Sequence, residues 1–195
     1  SRFDVDINYE SVKQGFAKPG EKIVLFVGRL VHEKGIHVLI GSVPRVLSVL
    51  PNVRFVIVGE GGMREQLLKE AWDFGISHKV LFTGFVDEEM LTLLYKASAV
   101  AVVPSLYEPF GITALEAMAA QVPVVASDVG GLSEIIEHDK TGTKVFPNSS
   151  DSLAWGITKV LLDIGYANQI KKNAYDKISK EYTWRKIGER TKILY

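Results

Sequence analysis

The sequence predicts a doubly wound α/β domain with a mainly parallel, six-stranded Rossmann-like sheet. Short apolar runs alternate with amphipathic stretches of helical length, which is the pattern of βαβ units. The runs are almost wholly apolar, as at residues 23–27, and this is expected when helices cover both faces of a sheet. The 195 residues are enough for one such domain with its own core.

The elements follow one another in βα order. The predicted strands, most of whose residues are apolar, are 22–27, 54–58, 80–83, 99–103, 124–127 and a weaker one at 143–145. The predicted helices between them, which form right-handed crossovers, are 35–50, 63–74, 87–97, 111–120 and 132–137. Asp87, followed by two glutamates, supplies an N-cap and favourable charge for the third of these helices.

The two ends of the chain differ from this pattern. Residues 1–20 form a polar lead-in. After residue 149 the pattern is helical only, with helices at 151–163, 166–181 and 183–194 that we expect to pack outside the sheet. The chain begins with Ser1 where a complete protein would begin with Met, which indicates a piece of a longer protein.

Composition excludes several classes of function. The 23 basic and 23 acidic residues balance, so no general attraction to nucleic acid is expected. There is no cysteine and the four histidines lack metal-ligand spacing, so we expect no metal site. There is also no signal-peptide core and no apolar run of the roughly 20 residues that span a bilayer. These features favour a cytoplasmic protein without a transmembrane segment.

Ligands of doubly wound sheets bind at the carboxyl ends of the strands. The loop at 28–35, after the first predicted strand, is bounded by glycines and carries Arg29, His32 and Lys34. Glycine allows a ligand to approach the backbone, and Arg and Lys can bind phosphate oxygens, so a diphosphate fits this loop. The alternative is a solvated turn in which Arg29 pairs with Glu33.

The loop after the fourth predicted strand carries two carboxylates. Pro109 keeps Glu108 out of the following helix, whose free amides near Gly111 suit a phosphate. The segment 112–120 is apolar except at Thr113 and Glu116, which predicts a buried helix. A buried Glu116 requires hydrogen-bond donors, and ribose hydroxyls would supply them. The alternative is that Glu116 pairs with a core arginine or caps a neighbouring backbone.

Two further loops are rich in glycine. Residues 59–64 approach a dinucleotide fingerprint, but Arg64 stands where the last glycine should be, and the motif follows the second strand, where the fingerprint follows the first. We therefore expect a close backbone turn there. Residues 128–131 either bring a helix N-terminus toward the site or form a plain tight turn.

Taken together, these motifs resemble the retaining GT-B glycosyltransferases of group 1, which include glycogen, sucrose and trehalose-type synthases and many bacterial sugar transferases. The matching residues are Gly28-Arg29-Leu30, Glu33-Lys34-Gly35, Gly84-Phe85-Val86, the paired acids Glu108 and Glu116, Gly130-Gly131-Leu132 with Glu134, Thr141-Gly142 and Tyr182-Thr183-Trp184. The match implies a C-terminal donor-binding domain at residues 21–195, with residues 1–20 as an interdomain lead-in.

The resemblance also implies a role for each residue. Arg29 and Lys34 would bind the donor diphosphate beside Gly28 and act in catalysis with Glu108. Glu116 would hold the ribose, and Glu108 would contact the sugar. The remaining donor contacts would be the amides of Phe110 and Gly111 for the sugar, Ile112 and Thr113 for phosphate, and Phe85 and Val86 for the base.

Partners follow from the same resemblance. The co-substrate would be a UDP, ADP or GDP sugar, with no cofactor and no metal. An N-terminal acceptor domain of the same protein would complete the enzyme and could provide peripheral membrane contact, so the isolated chain is expected to be inactive. Two alternatives remain: a GT-B nucleotide-sugar epimerase and a non-catalytic nucleotide-sugar-binding module. A dehydrogenase is disfavoured because the dinucleotide fingerprint is missing.

Overall fold

The computed structural model describes residues 9–181, and in this part of the chain six strands form one sheet in the order β3-β2-β1-β4-β5-β6. All neighbouring strands are parallel. The strands are β1 (Lys22–Val27), β2 (Val53–Val58), β3 (Val80–Gly84), β4 (Val100–Val103), β5 (Val124–Ser127) and β6 (Thr143–Val145). The predicted fold class is therefore confirmed, and the strand bounds differ from the predicted ones by at most one residue.

Eight α-helices accompany the strands within the described residues. They are α1 (Tyr9–Phe16), α2 (Ile36–Val49), α3 (Arg64–Asp73), α4 (Glu88–Ala97), α5 (Ile112–Ala119), α6 (Gly130–Ile135), α7 (Ser150–Leu162) and α8 (Ile164–Glu181). The predicted cap of α4 is present, because Asp87 Oδ1 accepts a hydrogen bond of 2.8 Å from the amide of Met90. None of these helices has the length and apolar character required to cross a bilayer.

The sheet separates two apolar cores because successive side chains of a strand point to opposite faces. Val24 and Phe26 of β1 face a core that includes α2, α3 and α7. Ile23 and Leu25 face a second core that includes α4, α5 and α6. Helix α8 contributes Ala167 and Ile170 to the first core and Ala174 to the second, so it passes from one face of the sheet to the other. The fold is thus doubly wound, as predicted.

The sequence does not predict α1, and helices α6 and α8 differ from their predicted bounds by two residues, α8 because it begins at Ile164. Helix α1 lies inside the polar lead-in and packs against α4, with Phe16 against the second core. Its few apolar residues hide it in the sequence, and tertiary packing rather than propensity stabilises such a short helix. Helix α6 begins at Gly130, two residues before its predicted start, and it also ends two residues early, at Ile135.

The expectation that all helices after residue 149 lie outside the sheet is wrong for α7. This helix packs on β4, β5 and β6 beside α2. Gly156 makes the close approach possible, since a Cβ there would lie 2.7 Å from Val145 Cγ1 and 2.8 Å from Val125 Cγ1. The predicted helix at 183–194 and the motif at 182–184 lie outside the described residues.

Candidate functional site

The loops after β1 and β4 meet at the point where the strand order reverses, which is where doubly wound sheets bind ligands. The amides of Leu106 and Tyr107 donate hydrogen bonds to the carbonyl of Glu33, at 2.8 and 3.2 Å. Gly35, with φ of 64°, makes this contact possible, because a Cβ there would lie 1.9 Å from the carbonyl oxygen of Pro104. Two of the predicted site loops are therefore joined by their backbones.

Glu108 is the centre of this junction, with only 6% of its surface exposed. Its Oε2 accepts hydrogen bonds from Lys34 Nζ at 2.6 Å and from Ser105 Oγ at 3.2 Å. Its Oε1 accepts a hydrogen bond of 3.3 Å from the amide of Gly111. Lys34 and Glu108 thus form a direct ion pair, which joins two residues that the sequence assigned to different parts of the donor.

The environment keeps Glu108 ionised. Burial alone would raise the pKa of this carboxyl, but the hydrogen bond and positive charge of Lys34, the amide of Gly111 and the hydroxyl of Ser105 outweigh burial. Together they hold the pKa of Glu108 below its ordinary value of 4.5. The site therefore contains a buried, ionised carboxylate beside a lysine ammonium group.

This lowered pKa predicts a pH-dependent contribution to stability. A carboxyl with a depressed folded-state pKa stabilises the fold fully above its unfolded pKa, and loses this effect as the pH falls through the folded value. The difference in free energy of unfolding between the wild type and Glu108→Gln should thus be largest at neutral pH and should shrink below pH 4.5. Urea unfolding over a pH series measures it. A difference that stayed constant into acid would contradict the assignment.

The two cations of the first loop are placed differently. Lys34 is partly buried against Glu108, whereas Arg29 is exposed. Within residues 9–181 no ion pair joins Arg29 to Glu33, so the solvated-turn alternative in that form is wrong. His32 stacks on His37 with ring centroids 4.7 Å apart. Arg29 is thus an exposed cation in the predicted phosphate loop.

Helix α5 is less buried than the sequence predicts. Ala114 and Ala117 are buried, but Ile112 is exposed and Glu116 is partly exposed. The Tyr95 hydroxyl donates a hydrogen bond of 3.1 Å to Glu116 Oε2. The predicted full burial is not observed, because α5 presents one face to the core and leaves the other at the surface.

The glycine-rich loop after β2 is a close backbone turn, as expected. The amide of Leu30 bonds the carbonyl of Glu60 at 2.8 Å, and the amide of Gly28 bonds the carbonyl of Val58 at 3.0 Å. A Cβ at Gly59 would lie 2.0 Å from the carbonyl oxygen of Gly28. The loop therefore packs against the backbone on both sides of Arg29 and fixes the position of this segment.

The loop at 128–131 brings the start of α6 against the Glu108 loop. The amide of Gly131 donates a hydrogen bond of 2.8 Å to the carbonyl of Glu108. A Cβ at Gly130 would lie 2.3 Å from the same carbonyl oxygen. The loop therefore brings a helix N-terminus toward the site, which is the first of its two predicted roles, and is not a plain tight turn.

The remaining predicted donor contacts follow two strands of the sheet, β3 and β4. Phe85 and Phe110 are exposed, and Val86 and Thr113 are partly exposed. Phe85 and Val86 follow β3, and Phe110 precedes α5. Their predicted roles toward base, sugar and phosphate stay predictions.

Sequence reasoning missed two residues that hold the acids in place. Ser105 is only 1% exposed and bonds the same oxygen of Glu108 as Lys34 does. Tyr95 is buried in α4 and bonds Glu116. The available signal for Ser105 was a hydroxyl between a buried strand and a buried acid. The available signal for Tyr95 was a hydroxyl group in the apolar run of α4. Neither signal indicates which acid the hydroxyl group binds.

Comparisons with known proteins give the family. The sequence profile of the glycosyl transferases of group 1 matches residues 8–177. The chain therefore belongs to this family, and the resemblance found in its sequence is confirmed. An uncharacterized glycosyltransferase of Methanocaldococcus jannaschii is 45% identical over 198 residues, which cover 99% of this chain and 50% of that protein. The chain thus spans about half the length of this curated relative.

Solved structures agree with this assignment. The C-terminal domain of a group 1 family glycosyl transferase from Francisella tularensis superposes with a TM-score of 0.83 at 27% identity, covering 92% of this chain and 95% of that one. The Anabaena protein HepE, solved in complex with UDP and glucose, gives a TM-score of 0.87 at 27% identity, with 95% of this chain and 51% of that one covered. The fold is therefore one half of the two-domain glycosyltransferase architecture.

Proposed function

We propose that this chain is the donor-binding half of a retaining glycosyltransferase, which moves a sugar from a nucleoside-diphosphate sugar to an acceptor. The observation that carries the proposal is the ion pair of Lys34 and Glu108 at the switch point of the sheet, with the exposed Arg29 in the same loop as Lys34. The Anabaena protein, which shares this fold over about half of its length and was solved in complex with UDP and glucose, supports a ligand of this class.

In this proposal the cations serve the leaving group. Negative charge grows on the departing diphosphate as the bond to the anomeric carbon breaks, and fixed donors aimed at that charge lower the barrier. Arg29 can bind two phosphate oxygens with its planar fork, and Lys34 supplies a compact charge. Glu108, already ionised, would accept hydrogen bonds from hydroxyls of the transferred sugar.

The Lys34–Glu108 pair suggests how the site is set before the donor arrives. A lysine that binds diphosphate must turn part of its hydrogen bonding from Glu108 to phosphate oxygens. Ser105 and the Gly111 amide would continue to hold the carboxylate during this exchange. Glu108 would thereby keep its position while Lys34 moves toward the phosphates.

The test is calorimetric titration of the 195-residue chain with UDP, ADP, GDP and their glucose conjugates. We expect one nucleotide class to bind weakly and the isolated chain to transfer no sugar, because the acceptor side of the cleft is not part of it. Absence of binding by all six ligands would refute the donor-site proposal. Robust transfer by the isolated chain to an added acceptor would refute the need for a second domain.

Experiments on the full-length protein distinguish a retaining glycosyltransferase from an epimerase and from an inverting transferase. Incubation with the donor alone should give little turnover, whereas an epimerase would consume the donor without an acceptor. With an acceptor, the anomeric proton coupling in the NMR spectrum should show the configuration of the donor. An inverted product would refute retention without affecting the donor site.

A further inference from the structure

A cavity lies at the outer edge of the sheet, and none of the predicted donor residues lines it. Strand β6 is the edge strand, and the cavity extends along it to the first turns of α7. Its volume is 720 Å³, within the range of about 300–1,000 Å³ that is typical of ligand pockets. The lining residues used below are Asp128, His138, Lys144, Phe146, Ser152 and Trp155.

Two aromatic side chains line this cavity and are exposed to solvent. The exposed fraction is 78% for Phe146 and 49% for Trp155. Their surroundings hold them in place: the amide of Phe146 bonds Ser152 Oγ at 3.0 Å, and Lys159 Nζ lies 5.1 Å from the ring centroid of Trp155. Exposed apolar surface beside polar groups is typical of binding sites.

Polar groups accompany the rings and are fixed by the protein. Asp128 Oδ1 accepts a hydrogen bond of 2.6 Å from Ser133 Oγ and lies 2.9 Å from Lys144 Nζ. The side chain of Asp128 is nevertheless half exposed, and both of these contacts use the same oxygen. The amide of Lys144 also bonds His138 Nδ1 at 3.0 Å. A carboxylate with remaining acceptor capacity thus stands beside two aromatic rings.

This combination selects a class of ligand. A fully apolar ligand would remove water from the carboxylate and lysine without replacing their hydrogen bonds. An anionic ligand would have to compete with Asp128 and Asp151, which also line the cavity, for the cations Lys144 and Arg45 that already pair with them. A neutral carbohydrate satisfies both constraints, because its C–H faces pack on aromatic rings while its hydroxyls donate to a carboxylate.

We propose that the cavity along β6 is a second carbohydrate site, which binds a neutral oligosaccharide between Phe146 and Trp155 with Asp128 as hydroxyl acceptor. The choice of carbohydrate rests in part on the proposed function, since an enzyme that adds a sugar to a glycan gains from holding that glycan on its own surface. The cavity itself is separate from the donor residues and can be tested without them.

The experiment titrates the 195-residue chain with maltotriose and with cellotriose, followed by saturation-transfer NMR and calorimetry. We expect one of them to bind with a dissociation constant of about 1 mM, and Trp155→Ala and Asp128→Asn to weaken binding at least about tenfold. Trp72→Ala is the matched control, because Trp72 is a 76% exposed tryptophan of α3 that does not line the cavity. Thermal melts identify any variant that fails to fold.

The possible results separate this proposal from the proposed function. Failure of both trisaccharides to bind, or equal binding by the wild type and folded Trp155→Ala and Asp128→Asn variants, overturns the carbohydrate site. Nucleoside diphosphate affinity should be unchanged in Trp155→Ala. If no nucleotide binds any variant but the trisaccharide does, the donor-site proposal fails and the carbohydrate site stands.

Discussion

Lys34→Ala is expected to lower the turnover of the full-length protein by roughly 10²–10³-fold, which is the usual loss when one fixed donor to a developing negative charge is removed. Donor affinity should fall much less. The diphosphate carries more charge in the transition state than in the bound donor, so the contact strengthens as the bond breaks. Steady-state kinetics with the donor as the varied substrate separates kcat from KM.

Two further variants serve as controls, because Arg29 and Lys69 are exposed whereas Lys34 is partly buried. Arg29→Ala should give the same kinetic pattern, but because Arg29 is exposed it should leave stability nearly unchanged. Lys69→Ala removes a lysine that pairs with Asp73 at 2.6 Å on the surface of α3, and it should change neither kinetics nor stability appreciably. If Lys34→Ala and Arg29→Ala both raised KM with kcat unchanged, the role in leaving-group stabilisation would be wrong.

Lys34→Ala should also destabilise the domain, because it leaves the carboxylate of Glu108 buried without its cation. The double variant Lys34→Ala/Glu108→Gln removes this unpaired charge. It should therefore recover much of the lost stability and none of the activity. Recovery of both would indicate that Lys34 acts only through the fold.

The fold could be predicted because its signal is local. Strands β1 and β5 have the predicted bounds, since a strand buried on both faces is apolar along almost its whole length, and the weaker pattern at β6 also gives the observed bounds. Helix α1 could not be predicted, because its stability comes from α4, which lies more than seventy residues later in the sequence. The packing of α7 on the sheet could not be predicted either, because it depends on Gly156 of this helix facing Val125 of β5 and Val145 of β6.

The sequence indicated which loops meet at the switch point of the sheet, but it did not indicate the contacts between their side chains. Glycine, cation and acid types mark the loops, and the topology of the sheet brings those loops together. The Lys34–Glu108 bond joins residues 74 positions apart, and the Tyr95–Glu116 bond joins residues 21 positions apart. No local pattern encodes either pair. Sequence reasoning therefore assigned Lys34 and Glu108 separate partners, whereas the structure joins them.

The two acids should have different ligands, and this difference can be measured. Glu116→Gln removes a charged acceptor from the predicted ribose contact, so the affinities for free nucleoside diphosphate and for nucleotide sugar should fall together, by about 1–3 kcal/mol. Tyr95 limits how far the carboxylate can move to compensate, because its hydroxyl bonds Glu116 Oε2. Glu108→Gln should leave the free diphosphate bound at least as tightly, because Lys34 no longer has to leave an ionised partner.

Glu108→Gln should instead weaken the nucleotide sugar relative to the free diphosphate, since its predicted hydroxyl partners exist only when the sugar is attached. Titration of both ligands against both variants gives four affinities, and thermal melts of each variant exclude a folding defect. Equal losses for both ligands in both variants would refute the division between a nucleotide acid and a sugar acid. If Glu116→Gln lowers the melting temperature while its folded fraction binds both ligands normally, Glu116 serves the packing of α4 on α5 through Tyr95, and the ribose assignment fails.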